Sequence, residues 1–148
     1  MSALRCNCWR WLVHQVASGS WRPSPPAAAI SRHVSPTVDF VGHIGGDDFI
    51  VLSTPEKMEA LAQLICDAFD AVAPSFYSEE DRARGAIIAK DRQGNTKEFP
   101  LLSVAIGICH NRDRKLTGFA QVAHLGAELK KVAKGKPGSA FVVDRRKD

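Results

Sequence analysis

The hydrophobic and polar positions of this chain change character near residue 38. From Asp39 onward, apolar runs and amphipathic periods alternate with turn residues. Runs rich in Val, Ile and Phe predict strands, and a Gly-Gly pair between the first two runs predicts a tight turn. The predicted β-hairpin extends from Asp39 to Leu52, with Asp47 and Asp48 directly after the glycines. We therefore expect a hairpin with acidic residues at its tip.

Two amphipathic helices are predicted after this hairpin. The first follows the cap signature Ser53–Glu56 and keeps a helical period of apolar residues to Val72. The second begins at Thr117 and stops at Gly135. Its last turns carry positive charge, which suits the negative end of a helix dipole, at Lys130, Lys131 and Lys134.

The remaining apolar runs predict strands. Gly85–Ala89 and Thr96–Leu102 form a second hairpin, and Ser78–Arg82 before it is a solvated charged turn. Leu101–Ile108 is nearly continuous apolar sequence, which is typical of a strand buried on both faces, and Ala140–Val143 is a last short strand. This order of elements predicts an α+β fold, and we expect the helices on one face of the sheet.

Residues 1–38 do not share this patterning. The segment holds all three tryptophans, and no strand or helix period persists in it beyond Trp9–Val16. Ser18–Pro36 is rich in Ser, Pro and Ala, a composition typical of unstructured chain. We therefore divide the chain into a basic, largely unstructured segment, 1–38, and a folded domain, 39–148.

Charge and length narrow the function classes. The chain has 148 residues, enough for one domain, and a net charge of +4. Residues 1–38 contain four arginines and no Asp or Glu, so they account for the whole excess and the folded part is neutral. A neutral domain without a basic patch argues against nucleic acid as a partner.

The sequence also argues against a membrane protein. No apolar run approaches the roughly 20 residues that a transmembrane helix needs. The four cysteines, Cys6, Cys8, Cys66 and Cys109, are scattered and lack a zinc-site spacing, so we interpret them as reduced thiols. We expect a cytoplasmic protein.

Several spaced motifs resemble one family. Gly45-Gly46-Asp47-Asp48-Phe49 resembles the signature of GGDEF domains, the bacterial diguanylate cyclases, with Asp48 where the family usually has Glu. Leu102–Ile108 resembles the S-x-G-I core strand of that family, and Ala133-Lys134 its Ala-Lys pair. Phe40–Ile44 and Phe99–Leu102 look like the GGDEF domains of EAL–CBS–GGDEF multidomain proteins.

The resemblance covers the C-terminal two thirds of such a domain. It implies an incomplete ferredoxin-like sheet of the nucleotide cyclase and polymerase-palm type, whose first strand is missing or replaced. That strand would lie between the signature hairpin and the S-x-G-I strand, so its absence leaves two strand edges without a partner. The candidate replacement is Trp9–Val16, either as an inserted strand or as a helix packed alongside.

The resemblance also implies a chemistry, the joining of two GTP molecules into cyclic di-GMP with Mg²⁺ as cofactor. In that reading Asp47 is the catalytic residue and metal ligand, while Gly45, Gly46 and Lys134 bind substrate. Asp48 and Phe49 are structural residues of the turn. The implied partners are GTP, a second copy of the chain and other signalling domains.

The chain departs from the family pattern at residues that serve metal binding, guanine recognition and product inhibition in the family. The first-strand Asp and the N-D-x-x-G-H guanine-reading motif are absent from residues 1–38. The family's inhibitory R-x-x-D motif would end at Asp39, but Pro36 occupies the Arg position. We therefore expect no cyclase activity and no product inhibition at that site. The alternatives are a non-catalytic module that binds GTP or docks a protein, and a truncated gene product without activity.

Overall fold

The structure, a computed structural model, describes residues 10–14, 30, 32–45, 48–91 and 93–147. Its centre is a five-stranded sheet with the strand order β2-β3-β1-β6-β7. The strands of this sheet are β1 (Arg10–His14), β2 (Phe40–Gly45), β3 (Asp48–Leu52), β6 (Ala105–Cys109) and β7 (Ala140–Val143). A separate two-stranded sheet contains β4 (Ala86–Lys90) and β5 (Thr96–Pro100). The α+β class predicted from the sequence is confirmed.

The central strand β1 comes from residues 1–38, the segment that was predicted to precede the folded domain. It runs antiparallel to both neighbours, with Leu12 opposite Ile50 of β3 and opposite Gly107 of β6. Of the two forms expected for Trp9–Val16, the structure shows the inserted strand, over Arg10–His14. The first strand of the ferredoxin-like sheet is therefore replaced, and the edges of β3 and β6 are both paired.

The predicted signature hairpin is present as β2 and β3. The two strands pair antiparallel from Phe40 opposite Leu52 to Gly45 opposite Asp48, with an irregularity between His43 and Gly45. Residues 46 and 47 at the tip lie outside the described residues. The predicted turn at the two glycines therefore stays a prediction.

Two long helices, α1 (Met58–Val72) and α3 (Phe119–Lys134), cover opposite faces of the sheet. Helix α1 packs in one core cluster with Ile106 and Ile108 of β6, whereas α3 packs in a second cluster with Cys109. Because side chains alternate along a strand, these β6 residues face opposite sides. The expectation of helices on one face was wrong, since a helical period shows which side of a helix is buried but not which face of the sheet it covers.

Helix α3 lies unusually close to β6. A Cβ added to Gly107 would lie 2.5 Å from the carbonyl oxygen of Gly126 and 2.9 Å from the backbone nitrogen of Lys130. Such distances leave no room for a side chain at residue 107, so glycine is required there for packing. The close approach brings the C-terminal half of α3 against the centre of the sheet.

Some local predictions differ from the structure. The segment expected to be a charged turn continues as a short helix, α2 (Glu79–Arg84), whose first turn is capped by the hydroxyl of Ser78 accepting a hydrogen bond from the Asp81 backbone at 3.2 Å. Three acidic residues in that first turn interact favourably with the positive end of the helix dipole, and this interaction stabilises the helix. The predicted long strand is regular only over β6, whose five residues are all buried.

Among the residues that the structure describes, no helix combines the length and the apolar character needed to cross a bilayer.

Candidate functional site

Four strand ends meet beside the turn of the signature hairpin. On β1, His14 lies opposite Asp48 of β3 on one side and opposite Ala105 of β6 on the other. Asp48 in turn lies opposite Gly45, the last residue of β2. These backbone positions form one end of the sheet, and the candidate site is built around them.

Asp48 is held by a cation from helix α3. The Nζ atom of Lys130 donates a hydrogen bond to Oδ1 of Asp48 at 3.0 Å. The Lys130 side chain is only 13% exposed and that of Asp48 33% exposed, so the pair is largely shielded from water. A shielded ion pair is screened less by salt than a surface pair, and it joins α3 to the first residue of β3.

From the sequence, Lys130 was predicted only as one of the positive charges at a helix end. The helix period contained a signal for more, because Gly126, Leu129, Lys130 and Ala133 follow the spacing of one buried helix face. A lysine on a buried face needs an acidic partner. Asp48 is that partner, and Lys130 joins the residues of the site.

Lys134, the residue predicted to contact substrate phosphate, is exposed in the last turn of α3. It follows Lys130 by four residues, so the two lysines lie on the same side of the helix, one turn apart. Lys134 therefore adds a second, exposed positive charge one helical turn beyond Lys130.

Of the other signature residues, some lie on the described strands of the hairpin and some lie at its tip, outside the described residues. Gly46 and Asp47 lie outside the described residues, and Gly45 ends β2. Phe49 is partly buried against the main core cluster, and its ring stacks on that of His43 with centroids 4.8 Å apart. The Phe49 side chain thus packs against the fold.

The described residues around the hairpin end do not by themselves fit the magnesium ion that the resemblance implies. Mg²⁺ in proteins is bound by carboxylates and other hard oxygen ligands. Strand β1, which lies beside Asp48, contains no Asp or Glu, and the Asp48 carboxylate is paired with Lys130. Within the described part of the chain, no group of three or more His, Cys, Asp or Glu side chains could hold a metal ion.

Asp39, at the end of the motif that resembles R-x-x-D, has an internal role. Its Oδ2 accepts a hydrogen bond from the Ser35 backbone at 2.7 Å, and its Oδ1 accepts one from the Ser53 hydroxyl at 2.6 Å. The carboxylate therefore fixes the turn before β2 to the end of the hairpin. Both oxygens are engaged, and Pro36 supplies no guanidinium at the Arg position.

A cavity of about 540 Å³ lies elsewhere, between α1 and the edge strand β7. It is lined by the β7 residues together with Glu59, Gln63 and Cys66 of α1. Burial, and to a smaller extent Asp70 and Asp67, raise the pKa of the Cys66 thiol to about 12, so this thiol is not a nucleophile at neutral pH. Strands β1 and β6 separate β7 from the hairpin, so the cavity is not part of the candidate site.

Comparison with solved structures supports the fold. The chain superposes on the GGDEF domain of YfiN (TpbB) from Pseudomonas aeruginosa with a TM-score of 0.51 and 19% identity, covering 92% of this chain and 76% of that one. The GGDEF domain of DgcB from Caulobacter crescentus, solved in complex with c-di-GMP, gives a TM-score of 0.49 and 13% identity, covering 90% and 76%. An EAL/GGDEF domain protein from M. capsulatus gives 0.45 and 16%, covering 93% and 86%.

The YfiN superposition shows that the chain has the fold of a GGDEF domain, and at 19% identity it shows the fold alone. No family model matches the sequence, and no curated protein matches it either.

Proposed function

We propose that this chain is a GGDEF-type domain of cyclic di-GMP signalling that does not catalyse the cyclase reaction. The signature-like hairpin and the shared fold support the first half of the proposal. One observation carries the second half: the strand beside the hairpin, β1, offers no carboxylate next to Asp48, where its own residue is His14.

The loss of activity follows from the needs of the reaction. Attack by a 3′-hydroxyl on an α-phosphate depends on cations that neutralise the phosphates and lower the barrier for the incoming oxygen. Asp47, which the resemblance makes the catalytic metal ligand, would need a second acid on a neighbouring strand. The neighbouring strands β1 and β2 contain no Asp or Glu, and Asp48 of β3 is paired with Lys130.

A second role, GTP binding without turnover, is favoured by the exposed Lys134. Lys134 follows Lys130 by one helical turn, the Lys130 ammonium reaches Asp48 opposite Gly45, and glycine backbone allows close approach of a phosphate. In this role Gly45, Gly46 and Lys134 would contact the phosphates. The cytoplasm is the compartment proposed for the protein, and a second copy of the chain or another signalling domain is the macromolecular partner proposed.

The cyclase reaction is tested with purified full-length protein, GTP and Mg²⁺, and the product is quantified by chromatography and mass spectrometry. We expect no cyclic di-GMP above the level of an Asp47→Ala control, while an active diguanylate cyclase assayed in parallel forms product. Product from the wild-type chain that disappears in Asp47→Ala would refute the loss of activity.

Calorimetric titration with GTP, with and without Mg²⁺, tests the binding role. Binding that weakens in Lys134→Ala but is retained in Lys131→Ala, an exposed lysine three residues earlier, would support phosphate contact by Lys134. No heat from any variant would leave protein docking as the role of the domain. Heat that depends on Mg²⁺ and on Asp47 would instead support a functioning metal site.

A further inference from the structure

Strand β7 is the last strand of the central sheet, so one side of its backbone forms an edge. In the described part of the chain, β6 is the only strand that pairs with it. The N–H groups of Ala140 and Asp144 donate to carbonyl oxygens on the β6 side at 2.9 and 2.8 Å. Because backbone groups alternate sides along a strand, those of Phe141 and Val143 face the outer edge. This edge is a template for a further strand.

The cavity of about 540 Å³ lies beside this edge and gives an added strand room. Helix α1 is tied to the start of β7 at one end of the cavity, where the Ser139 backbone and hydroxyl both donate hydrogen bonds to the Asp70 carboxylate. The side chains of Phe141 and Val143 pack against the core cluster that contains α1. The cavity is therefore a groove that runs along β7 over apolar side chains.

Two cations flank the groove. Lys136 precedes β7 and Arg145 follows it, and both are exposed residues that line the cavity. Neither forms an ion pair with another residue that the structure describes. Of the described residues in the lining, only Glu59 is acidic, so the lining carries a net positive charge. An occupant with negative charge at its ends complements these cations.

A second copy of the chain complements this edge poorly. Two copies that pair antiparallel through β7 about a twofold axis would bring the Lys136 end of one strand towards the Arg145 end of the other. Like charges across paired strands are destabilising. The charge pattern therefore favours an acidic partner that differs from this chain.

We propose that the edge of β7 and the adjoining cavity form a docking groove for an extended segment of a partner protein. The segment adds a strand to the sheet and places acidic side chains beside Lys136 and Arg145. Its backbone bonds to the outward N–H and C=O groups of Phe141 and Val143. Its alternate side chains are apolar, because they lie over the apolar part of the groove.

The docking groove is tested by titrating a capped peptide, Glu-Val-Thr-Val-Thr-Val-Glu, into the full chain and measuring affinity by fluorescence anisotropy. We expect the same peptide with Lys at both ends to bind at least about tenfold more weakly. The double variant Lys136→Glu/Arg145→Glu should reverse this preference. Lys147→Glu, at an exposed lysine outside the cavity lining, should keep the wild-type preference.

Val143→Pro tests the backbone part of the docking groove. Proline removes the outward N–H of residue 143 and leaves the bonds between β6 and β7 in place. We expect Val143→Pro to bind the acidic peptide at least about fivefold more weakly than Val143→Thr, which keeps the donor. Hydrogen exchange by NMR should show the amides of Phe141 and Val143 exchanging faster than that of Val142 in the free chain, and more slowly once the peptide is bound.

Four results would overturn the proposal. They are no binding of the acidic peptide by the folded wild type at millimolar concentration, equal binding of the two peptides, and slow exchange of Phe141 and Val143 before peptide is added. The fourth is a dimer of the chain that Val143→Pro abolishes, since a second copy would then occupy the edge. If Val143→Pro does not fold, the charge-reversal variant still decides the question. The titrations contain no GTP or Mg²⁺, so their outcome is independent of the cyclase and GTP-binding tests.

Discussion

Gly107 and Gly126 meet where helix α3 crosses strand β6, and a Cβ at Gly107 would lie 2.5 Å from the carbonyl oxygen of Gly126. Residue 107 in β6 and the Gly126 carbonyl in α3 both belong to packed backbone, so neither can move without shifting a whole element. The contact therefore sets the distance between α3 and the sheet, and with it the reach of Lys130 to Asp48.

Gly107→Ala should lower the free energy of unfolding by about 2 kcal/mol or more, because the added methyl group forces α3 away from β6. Urea denaturation measures this change. Gly135→Ala is the matched control, since its Cβ would meet only the Val132 carbonyl oxygen at 3.4 Å, and we expect a change within about 0.5 kcal/mol. Equal effects of the two substitutions would contradict the close packing at Gly107.

Leu12→Pro tests the replacement strand. Proline in a central strand removes a ladder donor, so we expect a loss of about 3 kcal/mol in the free energy of unfolding. Glu98→Pro, in the exposed strand β5 of the separate sheet, should cost less. If Leu12→Pro unfolds at the same urea concentration as the wild type, β1 does not contribute to the stability of the sheet.

Hydrogen exchange gives an independent test of β1. Strand β6 is paired on both sides, with β1 and with β7, so the amides of Ala105–Cys109 should exchange more slowly than those of the edge strand β7. The measurement is exchange followed by NMR or by mass spectrometry of peptides. Exchange in β6 as fast as in the loop before α3 would show that the position beside it is empty.

The stability of the fold at low pH depends on one buried carboxylate, that of Asp144. Its side chain is almost completely buried and pairs with Arg146 at 2.7 Å and Arg114 at 3.2 Å. Burial alone would raise the pKa of Asp144, but hydrogen bonds from the side chain and backbone of Arg146, together with Arg114, lower it below its ordinary value. The stabilisation is thus complete above the unfolded-state pKa of about 3.9, and it is lost as the pH falls through the lower folded-state pKa.

Asp144→Asn should therefore cost about 2 kcal/mol at pH 7, because the almost completely buried side chain loses its charge-assisted hydrogen bonds with Arg146 and Arg114. The difference between variant and wild type should shrink as the pH falls below about 4. Urea denaturation across this pH range measures both effects. A difference that stays constant down to pH 2 would mean that the Asp144 charge does not contribute.

Cys66 should resist alkylation in the native protein. Burial first, and then the charges of Asp70 and Asp67, raise the pKa of its thiol to about 12. The reagent therefore has little access to the sulfur, and very little of the thiol is in the reactive thiolate form. With iodoacetamide at pH 8, we expect peptide mass spectrometry to show labelling of Cys66 at least about 100-fold slower in buffer than in 8 M urea. Similar rates in the two solvents would contradict its burial.

Asp39 should act in stability and not in ligand binding. Ser53→Ala and Asp39→Asn each disrupt the same hydrogen bond, so each should cost about 1 kcal/mol, and the double variant should cost less than the sum. A cyclic di-GMP titration should give no difference between wild type and Asp39→Asn. Specific binding that Asp39→Asn removes would show that the inhibitory site functions without the arginine.

Much of this fold could be predicted because each element carries a strong local pattern. The hairpin, both long helices and Ala140–Val143 follow from apolar periods and turn residues, and the buried β6 follows from an unbroken apolar run. A local pattern does not show, however, which distant segments of the chain pair or pack against each other. The sequence therefore left open whether Trp9–Val16 is a strand or a helix, and it placed both helices on one face.

The candidate site was harder to predict than the fold, for the same reason. The signature residues stand together in sequence, but Lys130 is distant from Asp48 along the chain and reaches it only because Gly107 lets α3 approach the sheet. Lysines near a helix end are usually explained by the helix dipole, and that explanation concealed the one lysine on the buried face.

The position of β1 also has a consequence for synthesis on the ribosome. Arg10–His14 leaves the exit tunnel before its partners β3 and β6, and Cys109 opposite Arg10 is translated much later. The nascent chain must keep an apolar segment from aggregating until both partners have emerged, so its maturation should depend on chaperones and on translation speed more than that of a protein whose neighbouring strands follow one another in sequence.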